Sequence, residues 1–432
     1  MARQIESVAV LGCGTMGSGI AAASAAAGCR VLMLDLTTEA VEQALAAVEP
    51  EDRHLVETGT LPDDLARIVD YDWICEAIVE DLHTKRELFA KVEPLRRDGT
   101  VISSNTSGIP LRDITAGFDE RLLNDVAITH FFNPVRVMKL FELVPGEHTA
   151  PAVIDAFAQF GADKLGKGVV HAKDTVNFIG NRIGCYFMLS GLHRAKPYLA
   201  EGMTQETIDA VLGKPIGLPP TGLYGLIDLI GLDVMDLVGK NLSVNLPERD
   251  PGRAFTAFPD VEQRMLERGQ LGRKAGGGFG RVVKLDDGTK KRETFDLVTE
   301  EWRAATEPDL DGVPGDLGEV LFADTVAGRL AWEIFGGTLR YAAGLVPEIA
   351  DDIVNVDRAI RWGFNWANGP FEMLDVLGPD RIIAKIEAEG GEIPSMLAAL
   401  GNAGASTFYR TSGDGAIQYL TVDGDWAPVP PE

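Results

Sequence analysis

His130 ends one short apolar run and Glu142 stands twelve residues later inside the next, in THFFNPVRVMKLFELV. An ionisable group within an apolar strand has no packing reason to be there. A carboxylate beside an imidazole fixes its tautomer and raises its basicity, so the pair could take up a proton. By position alone a satisfied core pair explains it equally well. Two polar segments could complete such chemistry: SSNTSG at 103–108, where Ser107 follows a strand end, and DTVNFIGNRIG at 174–184, where Asn181 opens a helix. A hydroxyl and a carboxamide there are either donors to a reacting oxygen or helix caps. His54, His83, His148 and His193 lie in polar or amphipathic surroundings and His171 ends an apolar run, so none shows this pattern.

A second kind of chemistry is written near the start. The run SVAVL at 7–11 leads straight into Gly12-Cys13-Gly14-Thr15-Met16-Gly17 and then into SGIAAASAAAG, a helix of very small residues. Gly12 suits the tight turn, Gly14 lets backbone N–H groups approach a pyrophosphate, and Gly17 lets helix and strand pack closely. Gly12, Gly14, Met16 and Gly17 are thus candidate cofactor positions. Asp35 ends the next apolar run 23 residues after the first glycine. A carboxylate there accepts both ribose hydroxyls and repels a 2′-phosphate, which favours NAD over NADP; the alternative is a Gly-rich turn with an Asp that caps the next helix.

Positioning these groups requires a sheet. Apolar runs at 7–11, 30–35, 72–78, 100–104, 126–129 and 139–144 alternate with helical stretches up to about residue 145. Continuous rather than alternating runs read as strands covered on both faces, so the first third is expected to be an α/β, doubly wound parallel sheet. Ligands bind such sheets at the carboxyl ends of the strands, where His130 falls. Beyond Pro145 the texture is helical, as in NRIGCYFMLSGLHRAKPYLAEG at 181–202. TGLYGLIDLIG at 221–231 returns as NGPFEMLDVLG at 368–378, and Arg182 and Arg329 keep the same offset. Two copies of one helical unit are expected. The polar stretch from about 281 to 318 reads as a linker and the Pro-rich end as a tail.

Composition narrows the function classes. With 45% hydrophobic and 24% charged residues and no long apolar run, the chain reads as globular rather than disordered or membrane-spanning. A net charge of −25 repels nucleic acid and anionic lipid, so any anionic ligand must be held locally. Cys13, Cys29, Cys75 and Cys185 form no CxxC pair, which speaks against zinc or a disulfide framework. The N-terminus shows no signal-peptide pattern, and a cytoplasmic location is expected.

GCGTMGSGI, SSNTSG, THFFNPVRVMKLFELV and DTVNFIGNRIG, in this order, resemble the 3-hydroxyacyl-CoA dehydrogenase family over residues 1 to about 282, and the repeated helical unit extends the likeness to about 408. The arrangement is most similar to the dehydrogenase portion of bacterial fatty-acid oxidation polypeptides that also carry an enoyl-CoA hydratase. The resemblance implies a Rossmann-like NAD-binding domain at 1–172, a first helical copy at 173–282, a linker at 283–318, a second copy at 319–408 and a tail at 409–432. It implies oxidation of an (S)-3-hydroxyacyl-CoA in β-oxidation, with His130 as general base, Glu142 as its partner, and Ser107 and Asn181 as donors to the reacting oxygen. Glu80, Lys85 and Lys274 resemble family positions that approach the dinucleotide. A hydratase or thiolase partner is implied, and a second copy covering the first copy's apolar face implies a monomer. The family's helical hairpin after Asp35, with its CoA-contacting lysine, is shortened: residues 36–84 contain no Lys and only Arg53 and Arg67 as basic residues. A non-catalytic NAD-binding scaffold and a dehydrogenase of a small 3-hydroxy acid without CoA are the competing readings.

Overall fold

The computed structural model of the chain describes residues 3–432. Two compact units form: one reaches to Ile179 and takes in Glu348–Asp351, and the other comprises Gly180–Pro347 and Asp352–Pro431.

The first unit is built on eight strands, β1 (Ser7–Leu11), β2 (Arg30–Asp35), β3 (Val56–Thr60), β4 (Trp73–Glu76), β5 (Val101–Ser104), β6 (Val126–Phe131), β7 (Leu140–Pro145) and β8 (Gly168–His171), in the order β3-β2-β1-β4-β5-β6-β7-β8. Strands β1, β4, β5 and β6 are buried along their whole length, which is why they read as unbroken apolar runs. From β1 the order runs outward to β2 on one side and β4 on the other, and this reversal leaves a crevice at the carboxyl ends.

The expected parallel sheet holds from β3 through β6 and needs correction beyond it. Strand β7 runs antiparallel to β6, and β8 is parallel to β7. The connection 132–139 is too short for a parallel crossover, which needs about a dozen residues or more, so the chain turns straight back. Strands β3 and β8 were not anticipated: VETGT is half-exposed at the sheet edge and GVVH is only four residues long. Residues 36–72 hold the helix Thr38–Leu45, capped by Thr37, then β3 and the short helical turns Leu61–Asp64 and Leu65–Asp70.

The second unit surrounds the helix Gly180–Ala200, which is buried on every face from Arg182 to Leu192. Its glycines admit neighbours: a Cβ on Gly184 would overlap the Phe364 ring, and one on Gly191 would meet Leu223. Phe187 packs edge-on to Phe335 and Trp366. The similar sequences at 221–231 and 368–378 form the helices Tyr224–Ile230 and Pro370–Leu377. Asp228 accepts from the N–H groups of Phe279 and Gly280, both at 2.8 Å, while Asp375 accepts from those of Phe408 (2.6 Å) and Tyr409 (2.9 Å). Each of those phenylalanines packs on an aromatic residue of its own helix, Tyr224 or Phe371.

The linker and tail expectations need correction too. Residues 280–304 form an antiparallel sheet of β9 (Gly280–Lys284), β10 (Lys290–Asp296) and β11 (Glu301–Ala304), and 409–428 form another of β12 (Tyr409–Thr411), β13 (Ile417–Leu420) and β14 (Trp426–Pro428). These strands are largely exposed and polar, so they carry no apolar run to betray them. They are held instead by ladder hydrogen bonds and by contacts such as Arg281 over Trp302 and Arg410 over Trp426.

Candidate active site

Register makes the central pair. In the antiparallel ladder of β6 and β7, His130 lies directly opposite Glu142, which turns a spacing of twelve residues into a contact. His130 Nδ1 and Glu142 Oε2 are 2.6 Å apart, with His130 2% and Glu142 0% exposed. A carboxylate can only accept, so Nδ1 carries the proton and Nε2 keeps its lone pair. Nε2 faces Ser107 Oγ at 3.2 Å. The other carboxylate oxygen, Oε1, accepts the Ile179 N–H at 3.1 Å. Phe132 and Phe178 flank the imidazole at 4.7 and 5.5 Å between ring centres. The arrangement can draw a proton from a hydroxyl placed beside Ser107 and hold the resulting imidazolium against Glu142.

Ser107 belongs to the loop that follows β5. Glu80 Oε1 accepts from Thr106 Oγ1 (2.7 Å), Ser107 N (2.9 Å) and Gly108 N (3.1 Å), and Asn105 Oδ1 accepts the Phe131 N–H at 3.0 Å. Lys85 is 1% exposed, and its ammonium meets Glu76 at 2.7 Å and Glu80 at 3.3 Å. Glu80 and Lys85 therefore do come together, beneath the serine loop. Glu76, also 1% exposed, was missed; it lies inside the apolar run DWICEAI, and the signal that marked Glu142 marked it too.

At the glycine turn, Gly12 has φ +97°, and a Cβ there would lie 2.6 Å from the Ala77 carbonyl oxygen. A Cβ on Gly17 would collide with the Gly12 carbonyl oxygen at 1.8 Å, whereas one on Gly14 would meet nothing. The helix Thr15–Ala26 starts without a side-chain cap and without an acidic residue in its first turn, a fit for the phosphates of a dinucleotide. Asp35 braces the turn, its oxygens accepting Cys13 N and Leu36 N at 2.6 Å each. Burial, and then Asp35, push the Cys13 thiol up to about 12, so no thiolate opposes an anion there. Four lone-pair directions on the Asp35 carboxylate leave capacity for ribose hydroxyls.

Residues 7–175 match the family model described as 3-hydroxyacyl-CoA dehydrogenase, NAD binding domain, and residues 178–282 match its C-terminal domain. The chain belongs to the 3-hydroxyacyl-CoA dehydrogenase family. It is similar to a probable 3-hydroxyacyl-CoA dehydrogenase of Bacillus subtilis, 35% identical over 95% of this chain and 56% of the relative. It is also similar to a putative fatty acid oxidation complex trifunctional enzyme of Rickettsia felis, 33% identical over 88% of this chain and 54% of the relative. The chain thus spans about half the length of these curated relatives. The crystal structure of 3-hydroxybutyryl-CoA dehydrogenase from Escherichia coli K12 shares the fold, with a TM-score of 0.70 at 23% identity over 91% of this chain and 98% of the other. Within that family, residues 7–175 correspond to the NAD-binding domain.

Asn181 and Lys274 belong to the helical unit. Asn181 is the second residue of the helix Gly180–Ala200, and Lys274 pairs with Asp233 at 2.6 Å. Among the described residues no cluster of three or more metal-ligating side chains occurs, and no helix is long and apolar enough to cross a membrane.

Proposed function

We propose that this dehydrogenase oxidises an (S)-3-hydroxyacyl-CoA to the 3-ketoacyl-CoA in fatty-acid β-oxidation. The observation that carries the reading is the Glu142–His130–Ser107 chain of contacts at 2.6 and 3.2 Å. NAD, when bound, accepts the hydride. Backbone N–H groups of the Gly12–Gly17 turn hold the pyrophosphate and Asp35 the ribose. His130 Nε2 takes the substrate hydroxyl proton, Glu142 stabilises the imidazolium, and the Ser107 hydroxyl donates to the reacting oxygen. Asn181 as a second donor and Lys274 near the dinucleotide enter on the family resemblance alone. The four buried, free cysteines support a reducing, cytoplasmic setting.

The paired Asp228 and Asp375 contacts support two copies of one helical unit, of which only the first has an Asn before its Arg; Gly328 precedes Arg329. Cover supplied to the helix Gly180–Ala200 by Phe335, Phe364 and Trp366 supports a monomer, and a stable dimer through these helices in sedimentation would refute it.

One observation favours a second reading, a small 3-hydroxy acid without CoA. Both cations of the shortened interval are engaged by the protein, Arg53 with the Val48 carbonyl and Arg67 with Glu57 and Asp64. NADH oxidation with acetoacetyl-CoA, a long-chain 3-ketoacyl-CoA and free acetoacetate separates the readings. Turnover of the thioesters only supports the first, turnover of the free acid only the second, and turnover of none leaves a scaffold. A hydratase partner is proposed as a separate source of the 3-hydroxy thioester.

A further inference from the structure

We propose that Lys167 is a positioning residue for the reaction: its buried ammonium fastens the turn between β6 and β7, and through that turn it sets His130 against Glu142 and seats the turn on the helix Thr15–Ala26. The inference rests on the dehydrogenase reading and deepens it.

Strand pairing gives Lys167 its place. Strand β7 runs antiparallel to β6 and β8 runs parallel to β7, with Gly168 opposite Leu140. Lys167 comes immediately before β8, so it stands at the edge of the sheet where β6 ends, the edge that holds His130 and where such sheets take ligands. Its backbone is pinned there, because its own N–H donates to Gly161 O and the Gly168 N–H to Lys139 O, each at 2.8 Å.

From that place the side chain reaches the turn. The ammonium donates to the Val135 carbonyl and, at 2.8 Å, to the Met138 carbonyl. Lys167 is 9% exposed, and among the described residues no carboxylate pairs with it. An ammonium taken out of water without an acid is costly, and burial draws its pKa below the usual lysine value. The two carbonyl dipoles offset that cost, which ties the charge to the turn. The turn has little else to fix it. Asn133, Pro134, Arg136 and Val137 are exposed, and the Val137 and Met138 N–H groups converge on one carbonyl, Pro134 O, at 3.0 Å each. The ion pair of Arg136 with Glu49 lies at the surface and adds little. Val135 points inward, 3% exposed, against Gly19, where a Cβ would come within 2.9 Å of Val135 Cγ2. One turn thus leads from the base to its carboxylate and rests on the helix that follows the glycine turn.

Lys167→Met keeps the length of the side chain and removes the donors. Its kcat in NADH oxidation at saturating substrates should fall by about tenfold or more, since a displacement of about 1 Å at a reacting group can cost about a hundredfold. Lys167→Arg, which keeps donors, should recover part of the loss. Two readouts independent of turnover separate positioning from a general loss of stability. The Val137 and Met138 amides should exchange about tenfold faster or more, with β1 unchanged. The proton on His130 Nδ1, followed by NMR with labelled histidine, should shift upfield, because a longer hydrogen bond to Glu142 deshields it less.

Gly19→Ala presses on the same turn from its other side with the ammonium intact. It should shift the Nδ1 proton as well, and adding Val135→Ala should bring it back, which keeps the proposal testable if Lys167→Met does not fold. A folded Lys167→Met with wild-type kcat would overturn the proposal, and so would an unmoved Nδ1 proton in that variant or, should it not fold, in Gly19→Ala. If the wild type turns over no 3-ketoacyl substrate while the proton and the amides respond as expected, the dehydrogenase reading fails and the fastening of the turn stands.

Discussion

The two units treat buried charge differently. In the sheet unit, carboxylates taken out of water meet cations: Glu76 with Lys85, Asp125 with Arg96 at 2.7 Å, and Glu142 with an imidazole that becomes a cation only when it takes a proton. In the helical unit, apart from the Arg182–Asp250 and Arg303–Glu206 pairs, several carboxylates taken out of water meet backbone N–H groups. Asp209 accepts from Leu223, Tyr224 and Gly225, Asp228 from Phe279 and Gly280, and Asp357 from Phe371, with the Tyr409 hydroxyl as a further donor. A paired charge holds a side chain at a point and survives a change of pH. A carboxylate held by amides fastens one chain segment to another and titrates. Burial pushes Asp209 and Glu262 up to about 7 and Asp375 to about 6. The first arrangement suits chemistry, the second suits assembly.

The largest effect tests the first half of that contrast. His130→Ala should lower kcat by about a hundredfold or more, and Glu142→Gln by a comparable amount, because a glutamine neither stabilises an imidazolium nor enforces the Nδ1–H tautomer. Both should remain folded, His130→Ala with the lower melting temperature because it leaves the buried Glu142 carboxylate without its imidazole, so melting is measured beside steady-state NADH oxidation. Full activity in His130→Ala would take this residue out of the mechanism.

A stability loss tests the second half. Asp357 is 2% exposed, and Asp357→Ala would strand the Phe371 N–H and the Tyr409 hydroxyl, which lie 2.7 and 2.6 Å from its oxygens. Each buried donor left unpaired costs roughly 1–3 kcal/mol, so a destabilisation of about 3 kcal/mol is expected in urea unfolding of the full chain. A loss below about 1 kcal/mol would show that solvent replaces the carboxylate and that the fastening is dispensable.

The same physics explains what could be read beforehand. Strands β1 and β2 matched their apolar runs to the residue because strands covered on both faces must be apolar throughout. His130 and Glu142 stood out because ionisable groups in such runs are anomalous, and Glu76 obeyed the same logic. Strands β9–β14 were illegible, since their exposed faces give no contrast with loops. The direction of β7 depended on the length of a connection rather than on residue type. Asp209 and Asp357 resembled ordinary helical aspartates, because what distinguishes them is the backbone they meet through tertiary packing.

The smallest effect sharpens the contrast through pH. Asp209 is raised chiefly by burial, partly opposed by its three amide bonds, from the usual carboxylate range to about 7. Its folded form therefore binds a proton more tightly than its unfolded form. Its stabilisation is present below the unfolded value near pH 4 and is lost as pH climbs to 7, the opposite of a salt-bridged carboxylate. Asp209→Asn, which keeps one acceptor oxygen, should flatten the fall in stability between about pH 5 and pH 8 by on the order of 1 kcal/mol. Wild-type pH dependence in the Asp209→Asn variant would place the titration on Glu262 or Asp375 instead, and the same measurement on Glu262→Gln would then decide between them.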